Sequence, residues 1–220
     1  MNAKPDVIRF LIDSNALKFG EFKLKSGRLA PYFVNTGSFD SGPRISELGR
    51  FYANAIVERG LDTCGTLFGP AYKGVPLAVA ASMSLYRDFG KPIGFTFNRK
   101  EAKTRGEGGL FVGHPIEKGT RVVITEDVVT AGTTLNEVVP LLRDAVGAEI
   151  AGVVVLVDRC ERGDTGDESA VQRCEKELGI KVFPIITAFD VISYLEQAGG
   201  SMSAHRDGIL KYLEQYGAKQ

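Results

Sequence analysis

The chain has 220 residues, 44% of them hydrophobic and 25% charged, which is enough for one sizeable core and typical of a soluble globular protein. Its 27 basic and 27 acidic residues cancel, which argues against a nucleic-acid binder that relies on bulk charge. Cys64, Cys160 and Cys174 are odd in number and lack C-x-x-C spacing, so neither a disulfide framework nor a structural zinc site is expected, and a reducing cytoplasm is the default.

The first 22 residues, MNAKPDVIRFLIDSNALKFGEF, interrupt their apolar positions with acids and bases and do not read as a signal peptide. No apolar run approaches the roughly 18 residues of a membrane span. Ile8, Leu11, Ile12 and Leu17 recur at helical spacing, which predicts an amphipathic helix over 5–16. GEFKLKSGRLAPYFVNTG then alternates between Gly and Pro breaks, as short strands and turns do. PRISELGRFYANAIVER predicts a helix over 43–59, with Pro43 in its first turn and Gly60 just past its end.

From there strands and helices alternate. CGTLFG, PIGFTFN, TRVVIT, EIAGVVVLVD and KVFPIIT read as strands. KGVPLAVAASMSLYRDFG, TTLNEVVPLLRDAVG and DESAVQRCEKELG read as helices, and helical periodicity returns between Ala188 and Tyr216. Continuous apolar strands in such an alternation predict an α/β fold with a mostly parallel sheet covered by helices on both faces. Pro140 interrupts one predicted helix, so a kink or an early stop is expected there. One segment departs from the pattern. NRKEAKTRGEGGLFVG holds four basic residues, Arg99, Lys100, Lys103 and Arg105, and is too polar to pack and too rich in glycine for a continuous helix. It is expected to be a long mobile loop, either a functional lid or a solvated charge run.

The most informative stretch is RVVITEDVVTAGTT, Arg121 to Thr134. A buried strand ends in two adjacent acids, Glu126 and Asp127, and a Thr-Ala-Gly-Thr-Thr turn opens the next helix. Backbone N–H groups at a helix N-terminus, with hydroxyls beside them, suit a terminal phosphate. Neither G-x-x-x-x-G-K-[ST] nor G-x-G-x-x-G occurs, so nucleotide-triphosphate and dinucleotide loops are excluded. Two carboxylates would repel a phosphate but can accept hydrogen bonds from sugar hydroxyls and face a hydrated Mg²⁺. The implied ligand is a sugar phosphate; taken alone, the acids also fit an ordinary turn cap.

Glu-Asp-Val-Val-Thr-Ala-Gly-Thr-Thr after an apolar strand resembles the phosphoribosyl-pyrophosphate (PRPP) motif of the type I phosphoribosyltransferases. LKFGEFKLKSGRLAPYFVNTG, LGRFYANAI, FGPAYKGVPLA, FNRKEAKTRGEGG and DRCERG resemble the orotate branch of that family, and the likeness covers nearly the whole chain. The resemblance implies one domain over 1–220, with a small N-terminal hood over about 1–40 and a flexible catalytic loop over about 99–112. It implies transfer of phosphoribose from PRPP to orotate, giving orotidine 5′-monophosphate and pyrophosphate in de novo pyrimidine synthesis, with Mg²⁺ held mainly by PRPP and water. It also implies a homodimer whose loop acts in trans, and no nucleic-acid or membrane partner.

The family's site maps onto Lys25, Tyr72, Lys73, Arg99, Lys100, Lys103 and Arg105, and onto Glu126, Asp127, Val128, Val129, Thr130, Ala131, Gly132, Thr133 and Thr134, for PRPP. Lys103, Glu126 and Asp127 are the implied catalytic residues. Lys25, Phe33, Val34, Thr130 and Arg159 are the implied orotate contacts, Arg159 because a planar guanidinium suits a carboxylate. The chain departs from the family in having Arg105 where His is frequent, Val34 where a second Phe is common, and Glu126 where the first acid is often Asp. A purine- or uracil-specific relative, a fold-sharing transcriptional regulator and a catalytically silent relative are the rival readings.

Overall fold

A computed structural model describes residues 4–24, 26–103, 109–163 and 166–219, without the side chains of 101–103. The first helix, α1 (Lys4–Asp13), buries Val7, Ile8 and Leu11 on one stripe. Strands β1 (Leu17–Lys23) and β2 (Leu29–Val34) pair antiparallel into a separate two-stranded ribbon with a register shift between Phe19 and Phe22. This ribbon lies within about 1–40, the stretch expected to form a hood, and is called the hood below. Helix α2 (Gly42–Glu58) follows, with Pro43 in its first turn.

The main sheet has six strands in the order β5-β4-β3-β6-β7-β8. They are β3 (Thr66–Phe68), β4 (Gly94–Lys103), β5 (Gly109–Gly113), β6 (Arg121–Val128), β7 (Glu149–Asp158) and β8 (Val182–Thr187). All neighbours pair parallel except β4 and β5, so the expected mostly parallel sheet carries one antiparallel edge. Helices α2 and α3 (Gly74–Phe89) share a core with Leu67, Val123, Val154 and Leu156 on one face of the sheet. Helices α4 (Thr133–Val146) and α5 (Ala170–Leu178) cover Phe68, Val122, Ile124, Val153 and Val155 on the other. Alternate residues of β6 and β7 thus enter opposite cores, which is why these strands read as unbroken apolar runs. Helices α6 (Ala188–Ala198) and α7 (Ser203–Tyr216) complete the chain, separated at Gly199 and Gly200. Among the described residues no helix is long and apolar enough to cross a membrane.

Two local expectations change. Helix α4 does not stop at Pro140; it runs on to Val146 and is closed by Gly147. Pro140 and Asn136 both lie on the exposed face, so the carbonyl that Pro140 leaves without an amide partner has access to water, while Leu135, Val138, Val139 and Leu142 continue the buried stripe. Within the expected loop over 99–112 the described residues are paired strand, because β4 continues to Lys103 and β5 begins at Gly109, with Asn98 opposite Phe111. An edge strand needs only one apolar face, and charges along it are ordinary, so the polarity of this stretch did not exclude pairing. Residues 104–108, including Arg105, lie outside the described residues.

Candidate active site

Strand β6 brings Glu126 and Asp127 to the C-terminal edge of the sheet, beside its centre, where open α/β sheets bind ligands. Both are buried, with 7% and 6% of their surface exposed, so each needs partners. Asp127 has them. Its Oδ2 accepts from Thr36 Oγ1 at 2.5 Å and from Lys73 Nζ at 3.1 Å, and its Oδ1 accepts from Val128 N at 2.7 Å. Burial pushes the Asp127 carboxyl up, but the Thr36 hydroxyl, the Lys73 ammonium and the Val128 amide together outweigh it and hold the group below its ordinary value.

Glu126 is in a different state. Its Oε1 accepts from Asp127 N at 3.1 Å, and its main-chain carbonyl accepts from the buried Tyr52 hydroxyl at 2.6 Å. Burial and the neighbouring Asp127 charge push its carboxyl up to about 8. The sequence gives no reason to treat the acids as unequal, yet Asp127 is held below its ordinary value and Glu126 is pushed above it, so Asp127 is the more readily charged of the two.

The turn after the acids has the expected form. Val129 buries its side chain in the α4 core, so only its backbone faces the turn, while Thr130, Ala131, Thr133 and Thr134 are exposed. Gly132 is the N-cap of α4 with φ 76°, and no side chain caps the helix there. The first-turn amides of α4 are therefore open to an anion. A Cβ on Gly132 would stand 2.6 Å from Cys174 Sγ, so glycine is required for space as well as for backbone conformation.

Lys73 is placed by the turn between β3 and α3. A Cβ on Gly69 would fall 2.2 Å from the Gly74 carbonyl oxygen, so the turn folds tightly against the start of α3 only with glycine there. The Ala71–Tyr72 peptide is cis, and Asn98 Oδ1 accepts from Ala71 N at 2.9 Å, tying the turn to β4. Tyr72 is exposed, and Lys100 Nζ lies 4.9 Å from its ring centroid. Thr36, Tyr72, Lys73 and Asp127, with Phe39, Leu77 and neighbours, line a cleft of ≈ 290 Å³. Arg99, next along β4, leaves on the other face of the strand by alternation, and its Nε is buried without a hydrogen-bond partner among the described residues. Lys25 and the Lys103 side chain lie outside the described residues.

Arg159 follows β7. Asp158 Oδ1 accepts from Cys160 N at 2.8 Å, and Cys160 takes φ 54°, a turn that directs Arg159 inward. Its guanidinium sits 4.4 Å from the Tyr32 ring centroid, and its Nε donates to Glu161 Oε1 at 2.7 Å. Its Nη2 lies 2.6 Å from the same oxygen. The carboxylate that Arg159 holds here is thus Glu161. Arg28 straps the hood to this segment, its guanidinium donating to the carbonyls of Arg162 and Gly163 at 2.8 and 2.9 Å. Strand alternation turns the Phe33 ring to the opposite face of the hood from Tyr32, where it stacks on Phe22 with centroids 5.6 Å apart; Val34 is half-buried. His205 stacks on Phe19 of the ribbon, with ring centroids 4.8 Å apart.

The structure thus gathers Tyr72, Lys73, Lys100, Asp127 and the α4 N-terminus at one edge of the sheet. It also adds Thr36, Tyr52, Tyr32 and Glu161, none of which the sequence singled out. Thr36 and Tyr52 lie 91 and 74 residues before their acid partners, and no periodicity reports contacts of that kind. Among the described residues no three His, Cys, Asp or Glu side chains converge to hold a metal.

A family profile described as a phosphoribosyl transferase domain matches residues 36–190, which span the acid strand, the turn and the Lys73 segment. The chain belongs to the phosphoribosyltransferase family. It is 47% identical to an orotate phosphoribosyltransferase of Pseudomonas fluorescens over 96% of this chain and 97% of the relative. It is 46% identical to that of Nitrosococcus oceani over 98% and 96%. The crystal structure of an orotate phosphoribosyltransferase from Francisella tularensis superposes with a TM-score of 0.85 at 34% identity, over 96% of this chain and 98% of that one. Within the family, the chain falls with the orotate phosphoribosyltransferases.

Proposed function

We propose that this chain transfers the phosphoribosyl group of PRPP to orotate, forming orotidine 5′-monophosphate and pyrophosphate for pyrimidine synthesis. The observation that carries the reading is the junction of β6 and α4: an ionised, fully partnered Asp127 lies directly before an uncapped helix N-terminus. The amides of Ala131 to Thr134 receive the 5′-phosphate, with the Thr130, Thr133 and Thr134 hydroxyls beside them. Asp127 accepts hydrogen bonds from the ribose hydroxyls, and Glu126 completes the acid floor.

The C1–O bond to pyrophosphate breaks as the orotate ring nitrogen approaches, and positive charge grows on the ribose ring. Asp127 favours that charge electrostatically, from a site where little water screens it. Lys73, Lys100 and Lys103 meet the negative charge that grows on the departing pyrophosphate. Among the described residues no three carboxylate, imidazole or thiol groups form a cage, so a metal ion would be held mainly by PRPP and its own waters, with Glu126 and Asp127 as the nearby carboxylates. Mg²⁺ bound in this way neutralises the polyphosphate. No protein nucleophile is required, so catalysis consists of holding donor and acceptor in line and excluding water.

Arg159 turns from Glu161 to the orotate carboxylate, which suits its planar fork. The backbone at Phe33 and Val34, with Lys25, closes the acceptor side from the hood. The active form is a cytoplasmic homodimer in which Lys103 and Arg105 reach the partner's site. Ultraviolet-monitored consumption of orotate with PRPP and Mg²⁺, with uracil and hypoxanthine as controls, tests the assignment. Turnover of orotate alone supports it, and preference for either control rejects it.

A further inference from the structure

Thr36 stands where the hood meets the acid strand. It opens a single 3-10 turn, Thr36–Ser38, directly after β2, and its side chain spans from that turn to β6. The hydroxyl gives its one hydrogen to Asp127 Oδ2 at 2.5 Å and receives Lys73 Nζ at 3.2 Å. The turn is fixed by bonds that do not involve Thr36's side chain. Asn35 Oδ1 accepts from Gly37 N at 3.1 Å, Arg44 Nη1 donates to the Ser38 carbonyl at 3.0 Å, and Asn35 N donates to the Ala16 carbonyl at 2.7 Å. Phe39, just beyond, stacks on Phe10 with centroids 5.5 Å apart. A hydroxyl on so well held a backbone has one orientation to offer.

Asp127 is gripped from two sides. Val128 N holds Oδ1 at 2.7 Å, and Thr36 holds Oδ2. The other Oδ2 partner, Lys73, is a flexible side chain with 66% of its surface exposed, and the proposed reaction draws it toward pyrophosphate. Once Lys73 moves, Thr36 is what remains to fix the rotation of the carboxylate. We propose that Thr36 is a positioning residue that holds Asp127 in the orientation that receives the ribose hydroxyls and keeps it there when Lys73 is recruited by the donor's pyrophosphate. This rests on reading Asp127 as the ribose acceptor. It makes the hood part of the donor site as well as the acceptor site, because Thr36 lies two residues after Val34.

The test compares Thr36→Val, which keeps the shape and removes the hydroxyl, with Thr36→Ser, which restores it. PRPP binding with Mg²⁺ is measured by calorimetry without orotate, and steady-state kinetics are measured with each substrate varied. Loss of one hydrogen bond to a charged group predicts that Thr36→Val weakens kcat/KM for PRPP about tenfold. The orotate KM should stay within about twofold of wild type, and Thr36→Ser should recover most of the loss. Equal PRPP constants in Thr36→Val and wild type would overturn the proposal, as would a Thr36→Ser protein as impaired as Thr36→Val. Parallel losses for both substrates with a lowered melting temperature would also overturn it, since they mark a collapsed hood. A wild-type protein that bound PRPP but left orotate untouched would defeat the functional reading instead, and calorimetry of the two variants would still decide the role of Thr36.

Discussion

Replacing Asp127 with Asn separates what this carboxylate does for the fold from what it does for the reaction. The substitution breaks the Lys73 ion pair at 3.1 Å and leaves an amide oxygen that can still accept from Val128 N or Thr36 Oγ1. Because Lys73 is 66% exposed, water already screens that pair, and its loss costs about 1 kcal/mol or less. For a chain of this length that is a fall in melting temperature of roughly 2–4 °C. In the transition state the variant exchanges a charged acceptor of two ribose hydroxyls for a neutral one. At about 1.5–3 kcal/mol for each charged hydrogen bond, partly recovered by the amide, kcat/KM should fall roughly 10²–10³-fold. Losing the Asp127 charge removes only the lesser cause that raises Glu126, and burial, the larger one, remains, so Glu126 does not replace the lost charge. The assay therefore reports where the charge sits. Orotate consumption and thermal unfolding measured side by side decide the matter. Turnover within threefold of wild type, or a loss of activity matched by a large loss of stability, would refute the reasoning.

Arg159→Ala should raise the orotate KM about 10²-fold with the PRPP KM nearly unchanged, because a bidentate carboxylate contact is lost; equal effects on both substrates would contradict it. Lys103→Ala should lower kcat well over tenfold with little change in PRPP affinity, since the charge it meets peaks in the transition state, and a pure KM effect in steady-state kinetics would count against this. Gly132→Ala forces φ 76° on a Cβ that stands 2.6 Å from Cys174 Sγ, so the melting temperature should drop several degrees and the PRPP KM rise about tenfold; wild-type values for both would sink the phosphate-turn geometry. Glu126 titrates near 8 in the folded protein against 4.5 for a free side chain, so its stabilising contribution is full below about 4.5 and is lost as pH rises through about 8. Melting curves of Glu126→Gln should therefore decline less than wild type between pH 6 and 9, whereas parallel curves would show that Glu126 is not protonated on folding.

The alternation of elements was legible because the strands are buried on both faces and the helices carry stops such as Gly90 and Gly147, both left-handed in the structure. The acid pair and its turn were legible because strand, carboxylates and helix start are contiguous in sequence. What escaped detection is non-local. Tyr52 reaches Glu126 from α2, Thr36 reaches Asp127 from the hood, and Glu161 pairs with Arg159. The unequal charge of the two acids depends on burial and on which of them meets Lys73, neither of which residue type encodes. The β4–β5 hairpin was hidden because charges at a sheet edge look like those of a solvated loop. Pro140 misled because an exposed helix face can carry a missing hydrogen bond.

The division of labour at the end of β6 is tested most directly by a crystal structure with PRPP and Mg²⁺ bound. The ribose hydroxyls should lie within hydrogen-bonding distance of Asp127, the 5′-phosphate should sit on the amides of Ala131 to Thr134, and Lys73 should have left Asp127 for the pyrophosphate. A donor bound with its phosphate elsewhere, or with Asp127 still paired to Lys73 and no sugar against it, would contradict the account.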